Sequence, residues 1–347
     1  MKKYIIDIYG ADKGYSTVID GALEALAQFS DIHIVLCGDE DTIRTYLSAK
    51  NYDTSRIDVI HAPEEITNHE PPTVIFDKKQ NSSLAVGIKI LKEDPEAVAM
   101  ISPGNTGAVL VGSIFKLGMS VPLKQPALAS MLPCHNGKLV CLIDCGANMD
   151  CKPAHLAKYA IMGSVLMKCR SDIDNPKVGL LSVGKEEGKG NVQTKEAFGL
   201  IKETGVNFIG NIEGNDVLAG DVDVVVCDGF SGNVLMKNAE ANGKIAMGMV
   251  DVLLEKEEKG SHTYNTLIAL RERLFMTFDF NSQGGATFLG VNKILIKAHG
   301  SANSKTIASC ISQAQILESK GFIDAMNRAL CICPQSSLPQ SPSGFRR

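Results

Sequence analysis

Tryptophan is absent from this chain, and aromatic residues make up only 5% of its 347 residues. Proteins that bind single-stranded nucleic acid stack the bases on aromatic side chains and neutralise the phosphates with an excess of basic residues. The formal net charge here is -4, so the chain lacks both features. Nucleic-acid binding is therefore not expected.

Long apolar runs are missing as well. No stretch reaches the roughly 18 to 20 apolar residues that span a bilayer, and Asp7 interrupts the N-terminal segment too early for a secretory signal. The overall content of 44% hydrophobic and 21% charged residues is typical of a globular chain with a sizeable core. We therefore expect a cytoplasmic protein.

The ten cysteines include no C-x-x-C pair of the kind that binds zinc. Free cysteine behaves as a small apolar residue. We expect reduced, buried or partly buried thiols and no metal site, because several cysteines lie in or beside apolar runs, namely Cys37, Cys141, Cys145, Cys151 and Cys227.

Short apolar runs alternate with segments of helical periodicity. The first strands are predicted at residues 3–8, 32–37 and 57–61, with helices between them. This alternation predicts an α/β fold with a mostly parallel sheet and crossover helices. The Asn136-Gly137 turn between apolar runs 127–132 and 139–144 indicates a hairpin, so antiparallel strands are mixed in.

Polar, glycine-bearing loops follow five of the predicted strands. In a parallel sheet such loops share one edge, which is where α/β proteins bind their ligands. We therefore expect a ligand site built from residues 10–12, 102–107, 144–148, 184–191 and 228–233.

The residue types in these loops indicate a class of chemistry. The chain has no G-x-S-x-G elbow, no H-E-x-x-H motif and no spacing that identifies a catalytic triad. Backbone N–H groups, amides and a lysine suit an oxyanion and a phosphate. A phosphate that attacks a thioester would release a thiolate of pKa about 8.5, which leaves without a strong acid.

The loop at residues 102–107 lies between a predicted strand and a predicted helix. Its two glycines and the helix start favour phosphate binding. An ordinary strand-to-helix turn remains the alternative, because the loop has neither the Walker pattern nor the dinucleotide-binding glycine pattern.

Six motifs occur in a fixed order: Ser102-x-Gly104-Asn105-Thr106-Gly107, Asp144-x-Gly146-Ala147-Asn148-x-Asp150-x-Lys152-Pro153, Gly184-x-Glu186-x-x-Lys189-Gly190-Asn191-x-x-Thr194-Lys195, Gly210-Asn211-x-Glu213-Gly214, Asp228-Gly229-Phe230-x-Gly232-Asn233 and Lys297-Ala298-His299-Gly300-Ser301. The set resembles the bacterial PlsX phosphate acyltransferases over roughly residues 3–320.

The resemblance implies transfer of a fatty acyl group from acyl-carrier protein to inorganic phosphate. The product would be an acyl phosphate for phospholipid synthesis by way of phosphatidic acid, made without a metal or nucleotide cofactor. A membrane-bound glycerol-3-phosphate acyltransferase of the PlsY type would be a partner.

The resemblance also implies a homodimer and a three-layer α/β/α, Rossmann-like fold akin to phosphotransacetylases and isopropylmalate dehydrogenases. We expect a single domain over residues 1–330. Residues 331–347, rich in Ser and Pro, are expected to form a disordered tail.

The resemblance assigns roles to individual residues. Lys189 and Asn233 would be catalytic, with Lys189 neutralising the phosphate or the developing oxyanion and Asn233 hydrogen-bonding the same group. Asp144, Asn148 and Asp228 would hold the loops. The phosphate would lie among Ser102, Gly104, Asn105, Thr106 and Gly107.

Two of these assignments have an alternative. Lys189 could be a solvated loop lysine. His299 could donate to the site or satisfy a buried backbone carbonyl.

Several positions depart from the family pattern. The family opens Asp-Ala-Met-Gly-Gly-Asp, where this chain has Asp7-Ile8-Tyr9-Gly10-Ala11-Asp12, with a larger side chain beside the expected site and one glycine fewer. Pro103 removes an N–H from the phosphate loop, Gln125 replaces an arginine, and the basic run is reduced to Lys78-Lys79. A divergent paralogue with altered substrate or weak activity is one implication.

The segment at residues 244–280 is predicted to be a helical protrusion. In the family the corresponding helices form a tip that touches the membrane, and an apolar cluster here adjoins Lys256, Lys259, Arg271 and Arg273. A dimer-forming helix pair is the alternative. The alternatives for the whole protein are a short-chain phosphotransacetylase using coenzyme A and a non-catalytic paralogue that binds acyl-carrier protein.

Overall fold

Strands and helices alternate through the first third of the chain, as predicted. The computed structural model describes residues 1–50, 52–120, 125–278 and 283–332. The elements of this third are β1 (Lys2–Asp7), α1 (Tyr15–Gln28), β2 (Ile32–Gly38), α2 (Glu40–Ala49), β3 (Ile57–His61), a 3₁₀ helix (Pro72–Phe76), α3 (Ser83–Glu93), β4 (Ala97–Ser102), α4 (Thr106–Gly112) and a π-helical turn (Ser113–Leu117).

The rest of the described chain contains the predicted hairpin and a pair of long helices. Its elements are β5 (Ala127–Pro133), β6 (Leu139–Ile143), α5 (Pro153–Ser171), β7 (Lys177–Leu181), α6 (Val192–Lys202), β8 (Asn207–Ile212), β9 (Val224–Val226), α7 (Gly229–Leu254), α8 (His262–Phe278), β10 (Ala286–Leu289), β11 (Ile294–Lys297), α9 (Ser304–Ser319) and α10 (Phe322–Ile332). Within these described ranges, no helix is long and apolar enough to cross a membrane.

The described strands form one sheet in the order β3-β2-β1-β4-β11-β10-β5-β6-β9-β7-β8. Two hydrophobic cores cover its faces. Tyr4 and Ile6 of β1 point into one core with α1, α5 and α9, whereas Ile5 points into the other with α3 and α4. Successive residues of β1 are thus buried in opposite cores, as expected for a strand that is covered on both faces of the sheet. The structure thus confirms a mostly parallel sheet with helices on both faces.

The two halves of the sheet run in opposite directions. Strands β1 to β4 and β11 are parallel to one another, and β6 to β9 form a second parallel group. The antiparallel pairs β11–β10, β10–β5 and β5–β6 lie between the groups and reverse the direction. The expectation that all five loops share one edge is therefore wrong.

The strand ends nevertheless meet along a line. One row of paired residues crosses the sheet, and it consists of Val59, Leu36, Ile6, Ile101, Ile296, Thr287, Ala129, Ile143, Val226, Leu180 and Asn211. Every strand of both parallel groups ends within about two residues of this row. The loops that follow the strands of the two groups therefore begin along the same line across the sheet, although the strands approach this line from opposite directions.

The described elements outside the sequence predictions are β8, β10, α10 and the 3₁₀ helix Pro72–Phe76. Cys331, placed in the predicted tail, lies in α10, while residues 333–347 are outside the described part of the chain. The predicted protrusion corresponds to the end of α7 and to α8, with residues 279 and 280 outside the described ranges. The prediction of free, largely buried cysteines is confirmed for Cys37, Cys141, Cys145, Cys151 and Cys227.

Candidate active site

A cavity of about 630 Å³ lies where loops from both parallel groups meet the first half of α7. Four of the five predicted loops contribute to its wall, through Asp12, Thr106, Gly146 and Asn233 among others. The loop after β11 adds His299, Gly300 and Ser301. The fifth predicted loop, after β7, contributes no residue to the lining of this cavity.

The loop after β4 is held from inside the protein. The Ser102 hydroxyl donates to the buried Asp7 carboxylate at 2.7 Å and accepts from the Gly104 N–H at 3.1 Å. Ser83 donates to the other oxygen of Asp7 at 2.5 Å. Burial raises the pKa of Asp7, and these hydrogen bonds act in the opposite direction. The Ser102 hydroxyl and the Gly104 N–H are thus already occupied by these hydrogen bonds.

Asn105 caps α4 and ties it to an earlier segment. Its side-chain oxygen accepts from the Ala108 N–H at 3.0 Å, and its amide donates to the carbonyls of Thr67 and Glu70. This is the N-cap arrangement that Asn favours. It fixes the direction in which α4 leaves the loop.

The first residues of α4 supply free donors. Thr106 and Gly107 begin the helix, so their N–H groups have no acceptor within it. Thr106 lines the cavity, and Gly107 packs against Pro72, where a Cβ would lie 2.5 Å from Pro72 Cγ. An anion beside Thr106 would also meet the positive end of the helix dipole.

Two glycines bring the loops after β1 and β4 together. A Cβ on Gly10 would lie only 2.4 Å from Gly104 Cα, and Gly10 has a φ of 95°. A side chain at Gly10 would therefore collide with backbone and strain its own residue. The contact places Asp12 and Pro103 in the wall of the same cavity.

Asp144 organises the loop after β6. Its buried carboxylate accepts from the backbone N–H groups of Leu128, Gly146, Ala147 and Asn148 and from the Asn148 amide, at 2.8–3.2 Å. Burial raises the pKa of Asp144, while these N–H donors lower it. Asn148 extends the network, because its carbonyl accepts from Gly229 N–H at 2.8 Å.

The loop after β9 begins α7. Asp228 caps this helix by accepting from the N–H and hydroxyl of Ser231 at 2.8 and 3.0 Å. One turn later the Asn233 amide donates to the Cys145 carbonyl at 3.2 Å. Asp228 therefore fixes the start of α7, and Asn233 lines the cavity beside Gly146.

Cationic residues of α7 and β11 line the cavity. Lys237 contacts Glu240 at 2.9 Å and His299 Nε2 at 3.2 Å, and His299 Nδ1 lies 2.8 Å from the Ser301 hydroxyl. Burial and the charge of Lys237 lower the pKa of His299. Lys244 and Lys297 also line the cavity. Sequence reasoning missed Lys297, although the motif around His299 contained it.

Lys189 lies on the exposed loop between β7 and α6. Its N–H donates to the Glu186 carbonyl at 3.0 Å, and the Asn211 amide donates to the same carbonyl at 2.8 Å. This bonding shapes the loop. The Lys189 side chain is outside the lining of the cavity.

The residues that depart from the family pattern are accommodated in different ways. The Tyr9 hydroxyl accepts from the Asp39 N–H at 3.1 Å, and neither Tyr9 nor Ala11 lines the cavity. Pro103 does line it, and its carbonyl accepts from Lys297 Nζ at 2.9 Å. Lys79 donates to the Glu65 carbonyl and pairs with Glu70, so it supports the loop that Asn105 holds.

The cavity also has an apolar wall. It is formed chiefly by Met131, Met236, Met247, Phe275 and Phe278. Among residues 1–50, 52–120, 125–278 and 283–332, no three His, Cys, Asp or Glu side chains are grouped to hold a metal ion. The cavity thus combines N–H donors and ammonium groups with an apolar surface, which suits a ligand with an anionic and a hydrocarbon part.

Solved structures share this architecture. A phosphotransacetylase from Streptococcus pyogenes aligns with a TM-score of 0.62 at 16% identity, over 91% of this chain and 94% of that one. The EutD phosphotransacetylase from Staphylococcus aureus aligns over the same shares with a TM-score of 0.60 at 15% identity. At this level of identity the likeness establishes the fold.

Relatives found by sequence are more similar to this chain than these solved structures are. The phosphate acyltransferase of Acetivibrio thermocellus is 41% identical over 310 residues, covering 89% of this chain and 91% of that relative. That of Thermoanaerobacterium thermosaccharolyticum is 40% identical over 329 residues, covering 94% and 96%. Residues 3–325 match the family model described as fatty acid synthesis protein. The chain therefore belongs to this family, as its resemblance to the phosphate acyltransferases predicted.

Proposed function

We propose that the protein transfers an acyl group from acyl-carrier protein to inorganic phosphate and so makes acyl phosphate for phospholipid synthesis. The supporting observation is the cavity itself. Its lining includes Lys237, Lys297 and Thr106, the first residue of α4, and it also has a wall of methionine and phenylalanine side chains. The polar groups fit phosphate and the apolar side chains fit an acyl chain.

The reaction needs no covalent enzyme intermediate. A phosphate oxygen forms a bond to the thioester carbonyl carbon, and the carbonyl oxygen carries the negative charge of the tetrahedral intermediate. The C–S bond then breaks, and the thiolate leaves and takes a proton from water. Because that thiolate has a pKa of about 8.5, orientation and charge neutralisation supply most of the catalysis.

Within this proposal, Asn233 and Lys189 are the catalytic residues. Asn233 already lines the cavity beside Gly146, where it can hydrogen-bond the phosphate or the oxyanion. Lys189 lies outside the lining, so its contribution requires the loop after β7 to approach the bound substrate. Thr106 and Gly107 offer N–H groups, while Ser102, Gly104 and Asn105 fix the loop that presents them.

The apolar wall favours a long acyl chain over an acetyl group. Each buried methylene contributes about 0.8 kcal/mol, so a wall made of methionine and phenylalanine side chains gains little from acetyl-CoA. A short-chain phosphotransacetylase remains the competing function. It would accept acetyl-CoA and reject acyl-carrier protein as the donor.

We further propose a cytoplasmic homodimer that associates with the membrane surface, where the acyl phosphate would pass to a PlsY-type acyltransferase. The support is the unburied apolar surface of the helix pair. No described residue of α8 is buried, and exposed apolar side chains on α7 and α8 include Met249, Val252, Leu253, Leu270 and Met276. Such a surface suits a lipid interface or a second subunit.

The test is acyl phosphate formation from palmitoyl-acyl-carrier protein and phosphate, trapped with hydroxylamine. We expect a phosphate-dependent signal that falls about 100-fold in Lys189→Ala, as for loss of one group directed at an oxyanion. Lys185→Ala is the matched control, because Lys185 is on the same exposed loop but pairs with Asp216 at 3.0 Å. A folded wild-type protein that gives no signal but binds acyl-carrier protein would instead be a non-catalytic paralogue.

A further inference from the structure

Lys297 is one of the residues that line the cavity. It is the last residue of β11 and pairs with Ser102 of β4, so it stands beside the loop at residues 102–107. Its Nζ donates to the Pro103 carbonyl at 2.9 Å and to the Ala298 carbonyl. An ammonium group has three N–H donors. These two carbonyls leave one donor for a ligand.

This ammonium has no carboxylate partner. Within the described ranges no Asp or Glu oxygen lies at ion-pair distance from Lys297 Nζ, although Asp7 and Asp12 are close enough to influence its charge. Burial lowers the pKa of Lys297 to about 8. A partly buried cation that contacts only neutral carbonyls is costly unless an anion accompanies it.

The other cations near the cavity are arranged differently. Lys237 is paired with Glu240 at 2.9 Å, and Lys244 is exposed on α7. Lys297, in contrast, shares its wall with Thr106, which starts α4, and with His299. The ammonium of Lys297 and the N–H of Thr106 are both complementary to a compact dianion.

We propose that Lys297 is a phosphate-binding residue of this cavity, which contacts the anion with one N–H and holds the Pro103 carbonyl with another. The inference rests on the proposed acyl transfer and assigns the anion end of that site. Lys297 keeps its proton throughout. It orients the phosphate oxygen that attacks the thioester, and through Pro103 it keeps the loop at a fixed distance from the anion.

The test compares Lys297→Met with Lys293→Met. Methionine keeps most of the length of the side chain and removes the charge. Lys293 precedes the same strand, is also partly buried and also donates to a backbone carbonyl, that of Ala97 at 2.7 Å, but it does not line the cavity. Phosphate binding is measured by calorimetry without an acyl donor, and KM values for phosphate and for palmitoyl-acyl-carrier protein are measured separately.

We expect Lys297→Met to weaken phosphate binding and raise the KM for phosphate by about 10- to 100-fold, as for a lost hydrogen bond between charged groups. The KM for the acyl donor and both constants of Lys293→Met should stay within about twofold of wild type. A variant that binds phosphate normally, whether or not kcat falls, would overturn the assignment.

Two further measurements keep the outcome clear. If Lys297→Met does not fold, Lys297→Gln serves with the same expectation, and near-ultraviolet circular dichroism checks both. Calorimetry needs no reaction, so it separates the two proposals. A wild-type protein that binds phosphate through Lys297 but makes no acyl phosphate refutes the acyl transfer alone, whereas normal phosphate binding in the variant refutes the role of Lys297 alone.

Discussion

The hydroxyl of Ser102 donates a 2.7 Å hydrogen bond to the buried carboxylate of Asp7, on the strand next to its own. This bond makes Ser102 a support of the loop. Ser102→Ala should lower the free energy of unfolding by about 1 to 3 kcal/mol, because it removes a donor from a buried charged acceptor. Urea unfolding followed by circular dichroism measures the loss.

Ser83→Ala is the control for this prediction. Ser83 donates to the other oxygen of Asp7 and lies outside the cavity lining, so it should cost a similar free energy. The two variants should also share a similar, small change in the KM for phosphate. If Ser102→Ala alone raised that KM more than about tenfold, the hydroxyl would be bonding the anion directly.

The pKa of Lys297 predicts a pH dependence of phosphate binding. Because burial lowers this pKa to about 8, the ammonium loses its charge as the pH rises through that value. Phosphate affinity should therefore fall between about pH 7.5 and 9.5, a range in which phosphate is mostly the dianion. Calorimetric titrations at several pH values measure the decrease.

Lys297→Arg tests the origin of that pH dependence. Arginine stays charged throughout this range. The variant should bind phosphate with an affinity that is nearly constant between the two pH limits, even if its absolute affinity differs. A decrease identical to that of wild type would show that another group titrates.

A charge in the apolar wall should reduce the use of long acyl donors. Met247 of α7 lines the cavity and is partly buried, so Met247→Glu places a carboxylate where the acyl chain would lie. We expect kcat/KM for palmitoyl-acyl-carrier protein to fall about 10- to 100-fold, with the KM for phosphate unchanged. Steady-state kinetics with each substrate varied in turn separate the two effects.

Met249→Glu is the matched control for Met247→Glu. Met249 is two residues farther along α7, is 67% exposed and does not line the cavity. Its kcat/KM with the soluble donor should remain within about twofold of wild type. Equal losses in the two variants, at unchanged oligomeric state, would place the acyl chain elsewhere.

Local signals in the sequence predicted the elements whose stability is local. The Asn136-Gly137 hairpin was readable because turn chemistry involves neighbouring residues. The strand Ile57–His61 also has its predicted bounds, because its apolar run ends in polar and proline-containing segments.

Elements that depend on distant partners could not be predicted in this way. The four-residue strand β10 is stabilised by pairing with β11 and β5, and β8 contains Asn207, Gly210 and Asn211, which strands disfavour. Because β10 was not predicted, the reversal of strand direction between the two parallel groups was not predicted either. The site shows the same limit. Lys297 and Ser102 are far apart in the sequence, and the pairing of β11 with β4 brings Lys297 beside the loop at residues 102–107.

The apolar face of α8 should bind lipid. Met276 is 68% exposed, Arg273 is also on α8, and Lys256 and Lys259 lie between α7 and α8, so we expect the protein to float with vesicles that contain phosphatidylglycerol. Met276→Glu should reduce flotation about tenfold or more while the oligomeric state stays that of wild type, because it puts a carboxylate at the interface. Asn265→Glu adds the same charge at an exposed polar position of α8 and should change flotation much less. A smaller oligomer in Met276→Glu than in wild type would instead show that this face is covered by another subunit.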